Sequence, residues 1–557
     1  MTLHETVKYN ILLQVKCHED HRRQIGTKMH RGSVMRQLIG ALAVSCALIV
    51  VSAARAGDCE SLTGRKAASG TVVKAQQFAA GDKVGSGPHA WAAPRAFCSV
   101  QARLTPATGS DIQVELWLPD AAEWNRKLLG GGNGGFGGNF DMPHSEMLPA
   151  LRRGYAAVGT DMGHETPGLL GPMTARWAYG HPQELIDWGY RAIHLTNLFA
   201  KEMIRAYYGS APRRSYFQGC SDGGREALME ALRYPADYDG IIAGAPGSPW
   251  TRTMTKFVAN YQALNGAPDA ELTDNDLKLI HDAVLARCDA RDGVKDGIVS
   301  DPRACDFNPT VLLCKSGRRQ GCLNDAQVRA VRKIYQGLRT EGVQISSGFE
   351  PGSELNWNAW IIGPNALDAR FGIEFYRWIV YKNPNWAPAG SDIGRGFADA
   401  QQRMGRMLNS DSPDLRAFVR RGGKLVLYQG WADPVIPPRN IITYYDALTK
   451  ELGANAGQVR LIMVPGMSHC FGGAGPNVFD TVDPLDRWVE DGVAPERLIA
   501  TKYDNDDPSA KALMTRPLCA WPKAARWTGS GSSSEAASFV CAAPGVSPGV
   551  QAGSAAR

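Results

Sequence analysis

A glycine–serine–glycine register, Gly219-Cys220-Ser221-Asp222-Gly223, constrains this chain more than any other stretch. An apolar lead-in, Ser215-Tyr216-Phe217, enters it, and the helix-compatible run 225–232 leaves it. A strand, a sharp turn and a helix in that order lift the hydroxyl of the turn serine clear of a sheet. The flanking glycines are demanded by space, because a Cβ at either would crowd the neighbouring strand and helix. Taken alone, the pentapeptide also describes a tight turn with an idle serine, since so short a pattern arises by chance. The chain downstream decides between the two.

Two later strands end in the residues a serine nucleophile needs. Residues 424–434 form a buried-strand pattern that closes on Asp433, held between Gly430 and Pro434. Residues 460–470 form another, running through Pro465-Gly466 into a loop that carries His469. Both candidates follow the C-terminal end of a strand, where open α/β sheets build their sites. Serine, acid and histidine in that chain order are the arrangement of an α/β-hydrolase. The predicted fold class is therefore α/β, with Ser221 as nucleophile, His469 as base and Asp433 as the group that orients it. The α/β rhythm lapses over 250–410, between nucleophile and acid, which is read as an inserted lid domain. The hydrolase domain is then expected over 57–249 and 411–545, with 1–56 ahead of it and a disordered tail at 546–557.

Cys220 precedes the serine and Cys470 follows the histidine. A catalytic thiol at Cys220 is disfavoured, because Ser221 and not Cys220 stands on the glycine register. The paired Cys-Ser and His-Cys dipeptides resemble the tannase and feruloyl esterase family, over about residues 59–541. The resemblance implies hydrolysis of esters of aromatic acids, of feruloyl, galloyl or terephthalate-monoester type. Acyl transfer to an alcohol, or a binding protein of the same fold without catalysis, are the alternatives. With closeness in the chain, it also implies five disulfides: Cys59–Cys98, Cys220–Cys470, Cys288–Cys305, Cys314–Cys322 and Cys519–Cys541.

Two glycine-punctuated loops remain. Residues 130–138 hold seven glycines with Asn133 and Phe136, and no Lys-Ser/Thr follows to make a phosphate loop. In an α/β-hydrolase this loop donates one amide to the oxyanion and the residue after the nucleophile donates the other. Those amides are assigned to Gly134 or a neighbour and to Asp222; a flexible surface loop is the plainer reading. Residues 288–298 carry Asp289, Asp292 and Asp296 with Gly293 and Gly297, a run of hard oxygen donors suited to calcium. The spacing departs from the EF-hand pattern. By the family resemblance Asp289, Asp292 and Asp296 ligate structural Ca2+ through side chains, and Val294 and Ile298 through carbonyls. A pair of Asp-Gly turns with solvated charges is the alternative.

Composition narrows the setting. A net charge of +6, from 61 basic and 55 acidic residues without a basic face, carries no nucleic-acid signature. Met35-Arg36, the apolar run 38–51 and Ala54-x-Ala56 read as a signal peptide cleaved before Gly57. That run falls short of the roughly 20 residues of a membrane span, so no stable membrane insertion is expected after cleavage. The 34 polar residues ahead of it imply a translation start at Met35. A lipoprotein site at Cys46 fits less well, with alanine three positions before it. Removing Cys17 and Cys46 with the leader leaves ten of 12 cysteines, an even number suited to an oxidising, secreted or periplasmic setting. The inserted segment holds Trp357, Trp360, Trp378 and Trp386, assigned mainly to its own core, and Arg370, Phe371 and Phe375 are candidate substrate contacts. His194 is assigned a structural role, and nothing in the sequence speaks to oligomeric state.

Overall fold

Ten of the apolar and alternating runs become strands of one mixed sheet. They are β1 (Lys66–Ala67), β2 (Gly70–Phe78), β3 (Phe97–Leu104), β4 (Ile112–Pro119), β5 (Lys127–Gly131), β6 (Ala156–Thr160), β7 (Arg214–Cys220), β8 (Gly240–Gly244), β9 (Lys424–Gly430) and β10 (Val459–Val464). Their order across the sheet is β1-β2-β3-β4-β6-β5-β7-β8-β9-β10. Pairing is antiparallel from β1 to β6 and parallel from β6 onward. This computed structural model describes residues 57–543, apart from 68, 86–89, 167, 169–170, 316–319, 359 and 364. The expected signal peptide and C-terminal tail lie outside the described residues.

Period-2 alternation divides the apolar residues of the parallel strands between two faces, each covered. Phe217, Ile241, Leu425 and Leu461 join one apolar cluster, whereas their neighbours Tyr216, Ile242, Val426 and Ile462 join another. The first cluster takes its cover from α2 (Ala192–Tyr208), α3 (Asp222–Arg233) and α9 (Pro438–Leu452). The second is covered by α1 (Asp141–Arg152) and α10 (Val482–Asp491). Helices on both faces leave the crossover turns at the C-terminal strand ends free to build a site.

No strand of this sheet arises between β8 and β9, which are nevertheless hydrogen-bonded neighbours. The intervening chain supplies α4 (Trp250–Asn265), α5 (Asp274–Cys288), α6 (Asp325–Gln336), α7 (Leu367–Glu374) and α8 (Ile393–Leu408). A third apolar cluster, with Ile280, Val284, Val331, Ile334 and Trp357, lies wholly within this stretch. Thr273 and Asn324 close capping boxes at the starts of α5 and α6, which fixes where those helices begin. Among the described residues no helix is long and apolar enough to cross a membrane.

Two features go beyond the sequence reading. A helical stretch starts at Pro182 and passes through a π-helical turn, Asp187–Arg191, before α2. Beyond α10 the chain adds antiparallel pairs, Arg497–Tyr503 with Ala512–Cys519 and Ala524–Trp527 with Phe539–Ala542. The structure contains the disulfides Cys59–Cys98, Cys220–Cys470, Cys288–Cys305, Cys314–Cys322 and Cys519–Cys541, with Cα separations of 5.6, 5.9, 5.4, 4.9 and 5.7 Å.

The approach of α3 to β8 is the tightest helix–sheet contact near the serine turn. A Cβ on Gly224 would stand 2.4 Å from the Gly244 carbonyl oxygen and 2.8 Å from Pro246 Cα. Gly224→Ala is expected to cost about 1–3 kcal/mol of stability through that overpacking, measured as a lowered urea midpoint with an unchanged slope.

Candidate active site

Ser221 joins β7 to α3 at φ 64° and ψ −118°, a conformation L-residues avoid. Such backbone costs on the order of 1–3 kcal/mol and persists only where its surroundings impose it. Here the Ser221 N–H donates to the Gly244 carbonyl at 3.0 Å, and the Ser221 carbonyl accepts from Gly247 at 2.9 Å and Arg225 at 3.1 Å. A Cβ on Gly219 would stand 2.6 Å from the Gly223 carbonyl carbon, and one on Gly223 2.9 Å from the Asn133 oxygen. Both glycines are therefore required by space rather than by φ.

From Ser221 Oγ a line of hydrogen bonds runs back into the sheet. His469 Nε2 lies 2.9 Å from Ser221 Oγ, and His469 Nδ1 lies 2.9 Å from Asp433 Oδ2. Asp433 is fully buried just beyond β9, where Oδ1 accepts from the amides of Val435 at 2.7 Å and Ile436 at 3.0 Å. Gln429 Nε2 donates to Oδ2 at 2.7 Å. A carboxylate so held accepts the proton on Nδ1, which leaves Nε2 as the acceptor for the serine hydroxyl. The Cys220–Cys470 disulfide ties the residue before the serine to the residue after the histidine. The Trp360 ring stands edge-on to the imidazole, with centroids 5.6 Å apart.

The glycine stretch after β5 comes to rest beside the serine turn. Asn133 anchors it: Nδ2 donates to the Thr160 carbonyl at 2.8 Å, and the Asn133 carbonyl accepts from Gly223 N–H at 2.8 Å. Glu226 Oε2 accepts the Asn133 amide at 3.0 Å. With those two amides engaged, the N–H groups of Gly134 and Asp222 have no protein partner among the described residues. Phe371 of α7 packs on Phe136 at 5.4 Å and would meet a Cβ on Gly135 at 3.2 Å, so the insertion reaches this loop. Trp357, by contrast, is fully buried in the insertion's own cluster, Trp378 meets Tyr179 edge-on, and Trp386 stacks on Tyr376. Gln429, Asn133 and the proximity of Trp360 to His469 were not singled out from sequence. Of these only Gln429 carried a signal, as the one polar side chain late in an apolar strand.

The side chain of Asp222 has a task of its own. Its Oδ1 accepts from Arg225 Nε at 2.5 Å, and both residues are fully buried. Arg225 also donates to the carbonyls of Gly189 at 2.8 Å and Trp188 at 3.1 Å, oxygens presented by the π-helical turn. Its guanidinium lies over the rings of Trp188 and Trp250. Removing one partner of such a buried pair leaves an uncompensated charge, at a cost of about 3–5 kcal/mol.

The aspartate loop lies elsewhere, in the insertion. Asp289 accepts from the amides of Asp296 at 3.2 Å and Gly297 at 3.1 Å, Asp292 from Val294 at 2.9 Å, and Asp296 from Ile298 at 3.2 Å. Asp296 Oδ2 also pairs with Arg516, from the strand 512–519. Burial raises the carboxyls of Asp292 and Asp296, and the charge of Asp289 adds to both shifts.

Residues 98–542 match the family described as tannase and feruloyl esterase. The chain belongs to that family. An esterase of Xanthomonas campestris is 37% identical over 92% of this chain and 96% of its own. The mono(2-hydroxyethyl) terephthalate hydrolase of Piscinibacter sakaiensis is 32% identical over 80% of this chain and 85% of its own. The crystal structure of feruloyl esterase B from Aspergillus oryzae superposes with a TM-score of 0.77 at 27% identity, covering 87% of this chain and all but 1% of that one. The chain is a carboxylic ester hydrolase.

Behind the glycine loop of this esterase sits a buried carboxyl. The main-chain oxygen of Asp161 accepts from Gly138 at 3.0 Å, while Oδ1 accepts from Gln113 N–H at 3.0 Å and Gly163 N–H at 2.8 Å. Burial outweighs those donors and pushes the Asp161 carboxyl from 3.8 up to about 8. A folded-state value above the unfolded one favours the folded protein at low pH. That contribution is complete below about pH 4 and is lost as pH rises through about 8. Asp161→Asn keeps Oδ1 and removes the titration. Its stability relative to the unsubstituted protein is therefore expected to climb between about pH 4 and pH 8 and then level off, followed by urea unfolding at fixed ionic strength.

Proposed function

We propose that this chain is a serine esterase of the α/β-hydrolase fold that cleaves esters of aromatic acids through Ser221, His469 and Asp433. The observation that carries the reading is the unbroken line of 2.9 Å contacts from Ser221 Oγ through His469 to buried Asp433. Ser221 Oγ attacks the ester carbonyl carbon as its proton passes to His469 Nε2. The oxyanion accepts from the open amides of Gly134 and Asp222, and one such donor is worth roughly 2.7–4 kcal/mol. Collapse expels the alcohol, which takes the proton from Nε2. Water then repeats the sequence on the acyl-enzyme and releases the acid. Asp433 holds the imidazole by Nδ1 and stabilises its positive charge, without itself taking the proton.

Support for the acyl class comes from the relatives, named as a feruloyl esterase and a terephthalate monoester hydrolase. Trp360 beside His469 and Phe371 beside the glycine loop give a planar acyl group aromatic neighbours. In this reading the domains run 57–249 and 411–545 for the hydrolase, with 250–410 as a lid over Ser221. The separate apolar cluster in that insertion supports the division. Five disulfides favour a secreted or periplasmic location.

Calcium in the 289–298 loop fits the donor chemistry. Three carboxylates and the carbonyls of Val294 and Ile298 are all hard oxygen donors. The charge of Asp289 raises the affinity of Asp292 and Asp296 for positive charge, and Arg516 neutralises part of that. Bound there, the ion would brace the insertion through charge neutralisation and would take no part in the ester chemistry.

The decisive experiment is hydrolysis of methyl ferulate, methyl gallate and a terephthalate monoester by residues 57–557, with Ser221→Ala as control. The expected outcome is a clear preference among the three, and a fall of at least about 10^4-fold in Ser221→Ala with unchanged folding. Turnover retained in that variant would remove the serine mechanism. A separate test concerns the ion: EGTA is expected to lower the thermal midpoint and Ca2+ to restore it, whereas Asp292→Ala removes the response.

A further inference from the structure

The far end of the helix that presents Ser221 carries a second polar cluster, which the ester chemistry leaves unused. Glu230 lies in α3, about 12 Å along the helix from Asp222 at its start. His194 projects from α2, and Asp237 stands in the turn between α3 and β8. Their ligand-capable atoms all fall within 4.8 Å of one another, the one such group of three His, Cys, Asp or Glu among the described residues. The aspartates of the 289–298 loop do not draw so close.

Each member is held in place by its surroundings. His194 Nδ1 lies 2.6 Å from Asp237 Oδ2, and the ring of Tyr234 stacks on the imidazole at 3.8 Å, nearly parallel. Lys201, the ammonium nearby, donates to the main-chain oxygen of Asp237 and leaves the carboxylates to the cluster. Glu230 is 1% exposed, and its Oε2 is buried without any hydrogen-bond partner. One turn along α2 from His194, Asn197 Oδ1 is also buried without a partner, while its Nδ2 donates to the Asp237 carbonyl at 3.4 Å. A buried acceptor with nothing opposite it carries its full desolvation cost. A cation in the cluster would remove that cost for Glu230.

We propose that His194, Glu230 and Asp237 form a site for a divalent transition metal of the zinc class. One imidazole nitrogen and two carboxylate oxygens make a borderline donor set, which suits zinc and cobalt better than calcium or magnesium. Ligands at about 2.0–2.2 Å around a tetrahedral ion stand roughly 3.4 Å apart. The 2.6 Å His194–Asp237 contact must therefore open by less than an ångström, and a separation at the 4.8 Å limit would close by about 1.4 Å. The imidazole side chain is 23% exposed, so water can reach the fourth position. The ion would tie α2 to the end of α3 and to the turn entering β8. Its distance from Ser221 makes it a structural tie and leaves the hydrolytic step to the groups already described.

The test uses the full folded chain, stripped with chelator and returned to excess Ca2+ so that the 289–298 loop does not compete. Titration with Co2+ is expected to give one equivalent with visible d–d absorption, displaced by Zn2+, and Zn2+ is expected to raise the thermal midpoint. His194→Gln and Asp237→Asn should each weaken Co2+ binding by at least ten-fold while ester hydrolysis persists. Absence of stoichiometric Co2+ and Zn2+ binding in the unsubstituted protein would overturn the site, leaving a proton shared by Glu230 and Asp237 as occupant. Binding unchanged in His194→Gln would overturn it too. Should both variants fail to fold, X-ray absorption on the zinc-loaded protein decides: a shell containing one imidazole nitrogen supports the site, and an all-oxygen shell sinks it.

Discussion

The backbone of Ser221, at φ 64° and ψ −118°, survives because three close packings leave the chain no other course. Gly219 lets the start of α3 fold back over β7, Gly223 admits the Asn133 carbonyl, and Gly224 lets the helix settle on β8. Each contact is a backbone-to-backbone approach that a single methyl group would prevent. The strain at one residue is thus balanced by burial spread over a whole helix, and the hydroxyl is held where a relaxed turn would not put it. Asp222 and Arg225 add a second anchor one turn later, bound through the carbonyls of the π-helical turn at Asp187–Arg191. An irregular turn in one helix therefore serves the regular start of another.

Much of this was legible in the sequence, for a physical reason. Parallel strands covered on both faces must be largely apolar at consecutive positions, so β8 and the greater part of β9 and β10 read as apolar runs, whereas β7 carries Ser215 and Gln218 among its apolar residues. The residues that follow them, Ser221, Asp433 and His469, could be placed at strand ends from chain order, and the structure brings them into one line of hydrogen bonds. What stayed hidden depends on contacts between distant segments. Asp296 pairs with Arg516 across 220 residues, and no local pattern near either records it. Trp360 and Trp357 stand three positions apart in chain, yet one meets the imidazole while the other fills a core, a difference set by packing. The strand pairs beyond α10 went unread because sequence and burial part company there: Ile499 and Leu513 are apolar yet exposed, which blurs the alternation a half-buried strand should show.

Insertion and sheet are joined with little cost to either. The chain leaves at the end of β8 and returns to β9, its hydrogen-bonded neighbour, so the intervening residues do not interrupt the ladder. The insertion keeps a core of its own, yet α4 and α7 also feed Trp250, Met254, Phe257 and Phe371 into the cluster that backs the sheet. Its place beside the glycine loop and His469 is therefore set by shared apolar packing as well as by chain connection.

The disulfide between Cys220 and Cys470 spans 250 residues, a ring that takes in the entire insertion. A single proteolytic cut anywhere between Asp222 and His469 would yield two polypeptides, one bearing the serine and the other the histidine. Neither could diffuse away, because the bond beside those two residues would still join the pieces. Nicking, which ordinarily separates the halves of a long-range pair, would leave Ser221 and His469 tethered beside one another.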